Sequence, residues 1–79
     1  MADFELDMRG LTCPVPIMRT VKKMQTMTNG QTLRVLATDP ATVSDFQAYA
    51  RGSGDILLES KQTPEGEFEY LLQRVERNR

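Results

Sequence analysis

The apolar residues of this 79-residue chain recur with a period that switches between two and about 3.6, and this switching constrains the fold most strongly. From Phe4 to Met8, apolar and charged residues alternate, which predicts a short strand with one buried face. From residue 14 to about residue 27, apolar residues recur at helical spacing. Asn29-Gly30 then offers a left-handed residue that ends this helix. The predicted buried stripe of the helix consists of Ile17, Met18, Val21, Met24 and Thr28.

The same alternation of periods continues along the rest of the chain. Residues 31–37 predict a second strand, and Thr38-Asp39-Pro40 predicts a second helix, because a capping side chain precedes proline at the first helical position. This helix runs to about Arg51 and ends at Gly52-Ser53-Gly54. Residues 55–62 and 67–74 predict two strands, joined in a hairpin by residues 63–66. The buried face of the second helix is predicted to hold Val43, Phe46 and Ala50.

The resulting order, βαβαββ, defines a fold class. A strand–helix–strand crossover is right-handed in nearly all proteins, so both crossovers place their helices on the same side of the sheet. We therefore expect an α/β two-layer sandwich, with a mixed four-stranded sheet and two helices on one face. The connections are short and the chain has no linker, repeat or low-complexity run, so we expect a single domain over residues 1–79.

The single cysteine lies in Cys13-Pro14-Val15-Pro16, immediately before the first helical pattern. Proline fits the first helical position, so the sequence predicts Pro14 there and Cys13 at or near the N-cap. Unpaired N–H groups and the positive end of the helix dipole favour thiolate over thiol at that place. We expect a lowered thiol pKa and a nucleophilic sulfur. The alternative is that Cys13 is a small buried hydrophobic residue, as free cysteines usually are.

Composition excludes several classes of chemistry. With no histidine and one cysteine, the chain alone cannot form a Cys–His pair, a C-x-x-C redox pair, an internal disulfide or a cysteine zinc site. We expect no cofactor and no metal. A net charge of −1 argues against binding to nucleic acid. The acidic N-terminus lacks signal-peptide features, and a free thiol suits a reducing compartment, so we expect a cytoplasmic protein without membrane contact.

Two segments of the chain resemble a known family. The run Leu6-Asp7-Met8-Arg9-Gly10-Leu11-Thr12-Cys13-Pro14-Val15-Pro16 is similar to the signature of the TusA/SirA sulfur carrier family, whose hallmark is Cys-Pro-x-Pro after an Arg-Gly-Leu or similar segment. Thr38-Asp39-Pro40-Ala41-Thr42, followed by Asp45, resembles the family's second recurring stretch. The resemblance spans nearly the whole chain, including its length and element order.

The resemblance implies that Cys13 carries sulfane sulfur as a persulfide. The sulfur would come from a cysteine desulfurase or a rhodanese and pass to an acceptor such as a DsrE-like protein. The destinations known for the family are tRNA 2-thiouridine synthesis, molybdenum cofactor assembly and sulfur oxidation. The alternative function is a non-catalytic regulatory or interaction module, in which Cys13 is structural or senses redox state.

The resemblance also marks residues around the cysteine. Pro14 and Pro16 would rigidify the helix start. Asp39 is interpreted as a helix cap, and Asp45 as a solvated residue or a supporting hydrogen-bond partner. Arg9 is either a strand-end charge or an electrostatic group near the sulfur. The other marked positions are Asp7 and Gly10.

One face of the first helix is a candidate docking surface. Val15, Arg19, Lys22 and Thr26 follow i, i+4, i+7, i+11 spacing, so they line one side of the helix, beginning beside Cys13. The cations would steer an acidic partner protein to the sulfur. The alternative is an ordinary solvated helix face. We expect the protein to be a monomer.

Overall fold

A computed structural model describes residues 2–75 of the chain. Their order of elements is the predicted βαβαββ. The four strands form one sheet in the order β1-β2-β4-β3, in which β1 and β2 are parallel and the other pairs are antiparallel. The predicted α/β fold, with a mixed four-stranded sheet and two helices, is confirmed. The elements are β1 (Phe4–Met8), α1 (Val15–Met24), β2 (Thr32–Ala37), α2 (Thr42–Ser53), β3 (Ile56–Gln62) and β4 (Phe68–Gln73).

The core lies between the helices and one face of the sheet. In β2, Leu33, Val35 and Ala37 are fully buried, while the residues between them are only partly buried, as the period of two requires. On β4, Tyr70 lies opposite Val35, and the ring of Phe46 from α2 stacks on it with centroids 4.3 Å apart. Burial of these apolar side chains is the main favourable contribution to folding.

The parallel pair β1–β2 positions the loops that matter for function. Met8 pairs with Ala37 at the carboxyl ends of the two strands. The loop from β1 to α1 and the loop from β2 to α2 therefore begin side by side at one edge of the sheet. Open α/β sheets commonly place their ligand sites at such an edge.

Helix α1 ends earlier than its hydrophobic period predicted. Beyond Met24, the N–H and the hydroxyl of Thr26 both bond to the Lys23 carbonyl, at 3.0 and 2.7 Å, and Met27 N–H bonds to the Met24 carbonyl at 3.1 Å. Bonds of this i→i−3 type, with a side chain competing for a carbonyl, close the helix. Gly30, with φ of 89°, does not end α1; it lies in the turn that leads into β2.

The predicted buried stripe of α1 is also wrong in part. The buried residues of α1 are Pro16, Thr20 and Met24, spaced four apart, whereas the side chain of Met18 is 63% exposed. Met18 lies two residues, or about 200° of rotation, beyond Pro16, so it points away from the face that Pro16 occupies. The other members of the predicted stripe are half-buried, Ile17 and Val21, or exposed, Thr28.

Helix α2 begins later than predicted, and it runs two residues past Arg51, through Gly52 and Ser53, before it ends at Gly54. It starts at Thr42, so Pro40 lies in the preceding turn and not at the first helical position. Gly54, with φ of 86°, forms the C-cap and bonds to the Ala50 carbonyl. Phe46 is buried as expected, but Thr42 is the other buried residue of α2. Val43 and Ala50 are half-buried.

Candidate functional site

The turn just before α1 presents Cys13. Pro14 is the N-cap of α1, and its carbonyl accepts the first helical bond from Met18 at 3.1 Å. Val15 N–H bonds to the Thr12 carbonyl at 2.9 Å, which closes a turn around Cys13 and Pro14, and the peptide bond between those two residues is cis. The prediction that Pro14 takes the first helical position is therefore wrong, because Pro14 is the N-cap and α1 begins at Val15. Cys13 directly precedes Pro14, so it lies near the N-cap as predicted.

The β2–α2 loop holds the β1–α1 loop in place. Cys13 N–H donates to Asp39 Oδ2 at 2.6 Å, and Gly10 N–H donates to the Thr38 hydroxyl at 2.9 Å. Gly10 has φ of 83°, a conformation that favours glycine. Sequence reasoning missed the role of Thr38. The sequence offered only indirect evidence for this contact, since the parallel pairing of β1 with β2 brings the two loops together.

Asp39 also organises the start of α2. Its Oδ1 accepts the Ala41 N–H at 3.0 Å, and its backbone carbonyl accepts from both the N–H and the hydroxyl of Thr42. The carboxylate thus satisfies the turn that leads into α2. The N-cap of α2 is Ala41, so the interpretation of Asp39 as the helix cap is wrong. Its second oxygen, which binds Cys13, was not predicted.

A buried hydroxyl pair supports this loop from below. Thr42 Oγ1 donates to the Asp39 carbonyl at 2.7 Å and lies 2.7 Å from the Tyr70 hydroxyl, so Tyr70 donates to Thr42. Both side chains are fully buried. The core strand β4 therefore fixes the helix start that carries Asp39 and Asp45. No local sequence signal predicted this contact.

The sulfur of Cys13 faces a carboxylate. The Cys13 side chain is exposed, so the alternative of a small buried hydrophobic residue is wrong. Its thiol donates to Asp45 Oδ2, with a sulfur–oxygen distance of 3.4 Å. Asp45 lies in the first turn of α2, so the thiol stands between the beginnings of both helices.

These contacts raise the pKa of the Cys13 thiol above its ordinary value. The main cause is the hydrogen bond to Asp45, followed by loss of contact with water and by the charges of Asp45 and Asp39. The expected lowering of the pKa is wrong, because the thiol donates to the carboxylate of Asp45 and the charges of Asp45 and Asp39 disfavour a thiolate beside them. The N–H groups of Ala41 and Cys13 lower the pKa of Asp39, so it stays anionic.

Arg9 and Asp7 pair with each other rather than with the thiol. Arg9 Nε and Nη2 donate to the two oxygens of Asp7 at 2.8 and 2.7 Å, and Nη1 lies 3.7 Å from Glu67 Oε1. Hydrogen bonds from Arg9 lower the pKa of Asp7 to about 2. These contacts agree with the interpretation of Arg9 as a strand-end charge.

The exposed surface of α1 is more apolar than predicted. Val15, Met18, Arg19 and Lys22 line a shallow concavity beginning near Cys13. Arg19 and Lys22 are exposed, as the spacing predicted, but Met18 lies beside them. Thr26 is exposed beyond the end of the helix.

Residues 2–75 contain no cluster of three or more His, Cys, Asp or Glu side chains that could hold a metal ion. None of the helices in that range is long and apolar enough to cross a membrane.

Fold and site together define a class of protein. It is a small two-layer α/β protein that presents one exposed thiol where a parallel strand pair leads into two helices. A family model described as Sulfurtransferase TusA matches residues 4–74. The chain belongs to this TusA family.

Individual relatives agree with this assignment. The Sulfur carrier protein TusA of Allochromatium vinosum is 49% identical over 76 residues, covering 94% of this chain and 99% of its own. YrkI of Bacillus subtilis is 46% identical over 67 residues, covering 85% of this chain and 87% of its own. The crystal structure of a SirA-like protein from Desulfitobacterium hafniense has a TM-score of 0.80 at 24% identity, covering 92% of this chain and 99% of that one, and shows the same fold.

Proposed function

We propose that this protein is a sulfur carrier that accepts sulfane sulfur as a persulfide on Cys13 and delivers it to an acceptor protein. The observation that carries the proposal is the exposed thiol of Cys13, placed between the starts of two helices, in a chain of the TusA family. A relative with 49% identity is named a sulfur carrier protein, which supports the same role here. The protein acts as a carrier that is loaded and unloaded, rather than as an independent multi-turnover catalyst.

The transfer needs only exchange between sulfur atoms. In loading, the Cys13 sulfur loses its proton and attacks the outer sulfur of the donor's persulfide. A new S–S bond forms on Cys13, the donor's S–S bond breaks, and the donor thiolate leaves and takes up a proton. In delivery, an acceptor thiolate attacks the outer sulfur, and Cys13 leaves as a thiolate that regains its proton. One S–S bond replaces another in each step, so no external oxidant or reductant takes part.

The residues around Cys13 have positioning roles in this proposal. The bond of Asp39 to Cys13 and the bond of Gly10 to Thr38 fix the loop. Pro14 caps α1, and Pro16 stands in its first turn, where a missing N–H leaves no helical bond unmade. The thiol is thereby presented on a rigid turn.

The resemblance to the family suggests the partners. We propose a cysteine desulfurase or rhodanese as donor, and a DsrE-like protein or another relay component as acceptor. Thiolation of tRNA, molybdenum cofactor assembly and sulfur oxidation are the candidate destinations. A free thiol fits a reducing compartment, so we place the protein in the cytoplasm. We further propose that it acts as a monomer on protein partners and binds neither nucleic acid nor membrane.

A redox-sensing role is less well supported. Sensor cysteines are typically exposed thiolates of low pKa. Cys13 is exposed, but the carboxylate of Asp45 raises its pKa. This environment argues against a sensor thiolate.

Replacement of the sulfur tests the proposal. In Cys13→Ser, the hydroxyl can still donate to Asp45, so we expect an unchanged fold and unfolding midpoint. A hydroxyl cannot hold sulfane sulfur, so transfer from a persulfide donor to an acceptor protein should be lost. The control is Thr12→Ser, an exposed neighbour in the same turn, which should transfer at the wild-type rate. Sulfur delivery by Cys13→Ser would overturn the proposal.

A further inference from the structure

We propose that Asp45 holds the sulfur of the empty carrier as a thiol and thereby restrains Cys13 from reacting with small electrophiles between transfers. This role rests on the proposed function, since it concerns the empty form of a sulfur carrier. It goes beyond a supporting hydrogen bond, because it makes Asp45 a determinant of what the sulfur reacts with.

The contact between the two side chains depends on the sulfur's proton. Cys13 Sγ lies 3.4 Å from Asp45 Oδ2. An ionised carboxylate only accepts hydrogen bonds, so this bond exists only while the proton is on sulfur. Loss of the proton would place two negative charges side by side, which is unfavourable. The geometry therefore favours the thiol.

The charge of Asp39, the other carboxylate near the sulfur, also favours the thiol over the thiolate. From the β2–α2 loop, Asp39 adds a second carboxylate, bonded to the Cys13 backbone. From the β1–α1 loop, Arg9 is bonded to Asp7 and lies near Glu67. Within residues 2–75, the charges that shift the thiol's pKa are those of Asp45 and Asp39, and both raise it. No cation of the described chain offsets them.

This restraint applies to the empty form alone. In a persulfide, Sγ is bonded to a second sulfur and has no proton to donate to Asp45. The terminal sulfur lies about 2 Å beyond Sγ, the length of a sulfur–sulfur bond. Asp45 therefore distinguishes the empty carrier, which it keeps as a thiol, from the loaded carrier.

The consequence is low reactivity of the free thiol. The thiolate is the nucleophile towards alkylating agents, so a smaller thiolate fraction slows reaction near neutral pH. The chain has one cysteine, so it cannot protect an oxidised sulfur by forming an internal disulfide. Suppressed reactivity preserves the sulfur for protein partners.

The test is the rate of Cys13 alkylation by iodoacetamide as a function of pH. Asp45→Asn keeps the size of the side chain and removes its charge. We expect the midpoint of its pH profile to move to lower pH, with alkylation several-fold faster than in the wild type near neutral pH. Asp45→Glu restores the charge and should return the midpoint towards the wild-type value. Glu59→Gln, an exposed carboxylate on β3, is the matched control and should keep the wild-type profile.

A second measurement needs no variant and so does not depend on how Asp45→Asn folds. The alkylation midpoint of the native chain should lie above that of the same chain unfolded in urea. A native midpoint at or below the unfolded one, or an unchanged midpoint in folded Asp45→Asn, would overturn the role of Asp45. Loading of wild-type Cys13 by a persulfide donor is measured in parallel. Failure of loading overturns the proposed function, whereas normal loading with unshifted midpoints overturns only the inference about Asp45.

Discussion

A single aspartate, Asp39, joins the two loops that surround the candidate sulfur site. One carboxylate oxygen accepts the N–H of Ala41 and the other accepts the N–H of Cys13. The first bond is local and lies in the turn before α2, which begins two residues after the position where the Asp-Pro pattern placed the helix start. The second joins residues 26 positions apart, and it depends on the parallel pairing of β1 with β2, which no local pattern specifies.

Removal of this carboxylate should loosen the Cys13 turn. In Asp39→Ala, the N–H groups of Cys13 and Ala41 lose their acceptor, so we expect their amide hydrogens to exchange roughly tenfold faster, the size of effect that one net hydrogen bond gives. NMR hydrogen exchange measures this, with Leu33 in the central strand as an internal reference that should not change. Wild-type exchange at Cys13 in this variant would show that the bond does not hold the turn.

Helix α1 shows what hydrophobic periodicity can and cannot predict. It indicated the presence of a helix, but it assigned Met18 to the core, where the structure has Pro16 and Thr20. The chain has more apolar residues on α1 than its core face can bury. The surplus lies outside, where Val15 and Met18 line a shallow concavity with Arg19 and Lys22.

Charge reversal on α1 tests whether this surface docks partners. Arg19→Glu with Lys22→Glu should slow sulfur exchange with acidic donor or acceptor proteins, because it removes the attraction that orients them. Alkylation of Cys13 by a neutral reagent should be nearly unchanged, and added salt should slow the wild-type exchange. Arg51→Glu with Lys61→Glu changes the net charge equally, at exposed positions outside α1, and serves as the control. Equal transfer rates for wild type and the α1 double mutant at low salt would exclude this surface.

At the scale of the whole molecule, the candidate sulfur site and a buried structural cluster around Asp55 lie at opposite ends of the sheet. The candidate site lies at the carboxyl ends of β1 and β2, whereas Asp55, which is 3% exposed, lies beside the start of β3. Asp55 accepts from the Tyr49 hydroxyl at 2.6 Å and from Val75 N–H at 2.9 Å. This cluster holds Val75, two residues beyond the end of β4, and it lies at the end of the sheet away from the thiol.

The pH dependence of stability should report this remote cluster. Burial and the hydrogen bond to Asp55 raise the pKa of Tyr49 from 10.0 to about 12. A raised pKa means that the folded state holds the proton longer, so this stabilisation is complete below pH 10 and is lost as pH rises through about 12. As pH rises from 10 to about 12, the free energy of unfolding of the wild type should fall. That of Tyr49→Phe should fall by about 1 kcal/mol less, after allowance for solvent screening. Urea unfolding at several pH values measures the difference, and parallel curves would contradict it.

The overall topology followed from sequence, whereas the electrostatics of the site did not. Element order and crossover handedness were enough to predict the mixed sheet with two helices. The pKa direction of Cys13 was predicted wrongly, because it depends on Asp45, 32 residues away and brought near only by the fold. Sequence patterns indicate which residues lie near Cys13. Whether those residues raise or lower the pKa of the thiol depends on their distances from it, which only the folded structure gives.

The central claim, that Cys13 carries sulfane sulfur, is tested most directly by the intact mass of the protein after incubation with a persulfide donor. We expect wild-type protein to gain the mass of one sulfur atom, located by fragmentation on Cys13 and removed by a thiol reductant. Cys13→Ser should gain nothing. A wild-type protein that stays unmodified, or an added sulfur located on another residue, would contradict the claim.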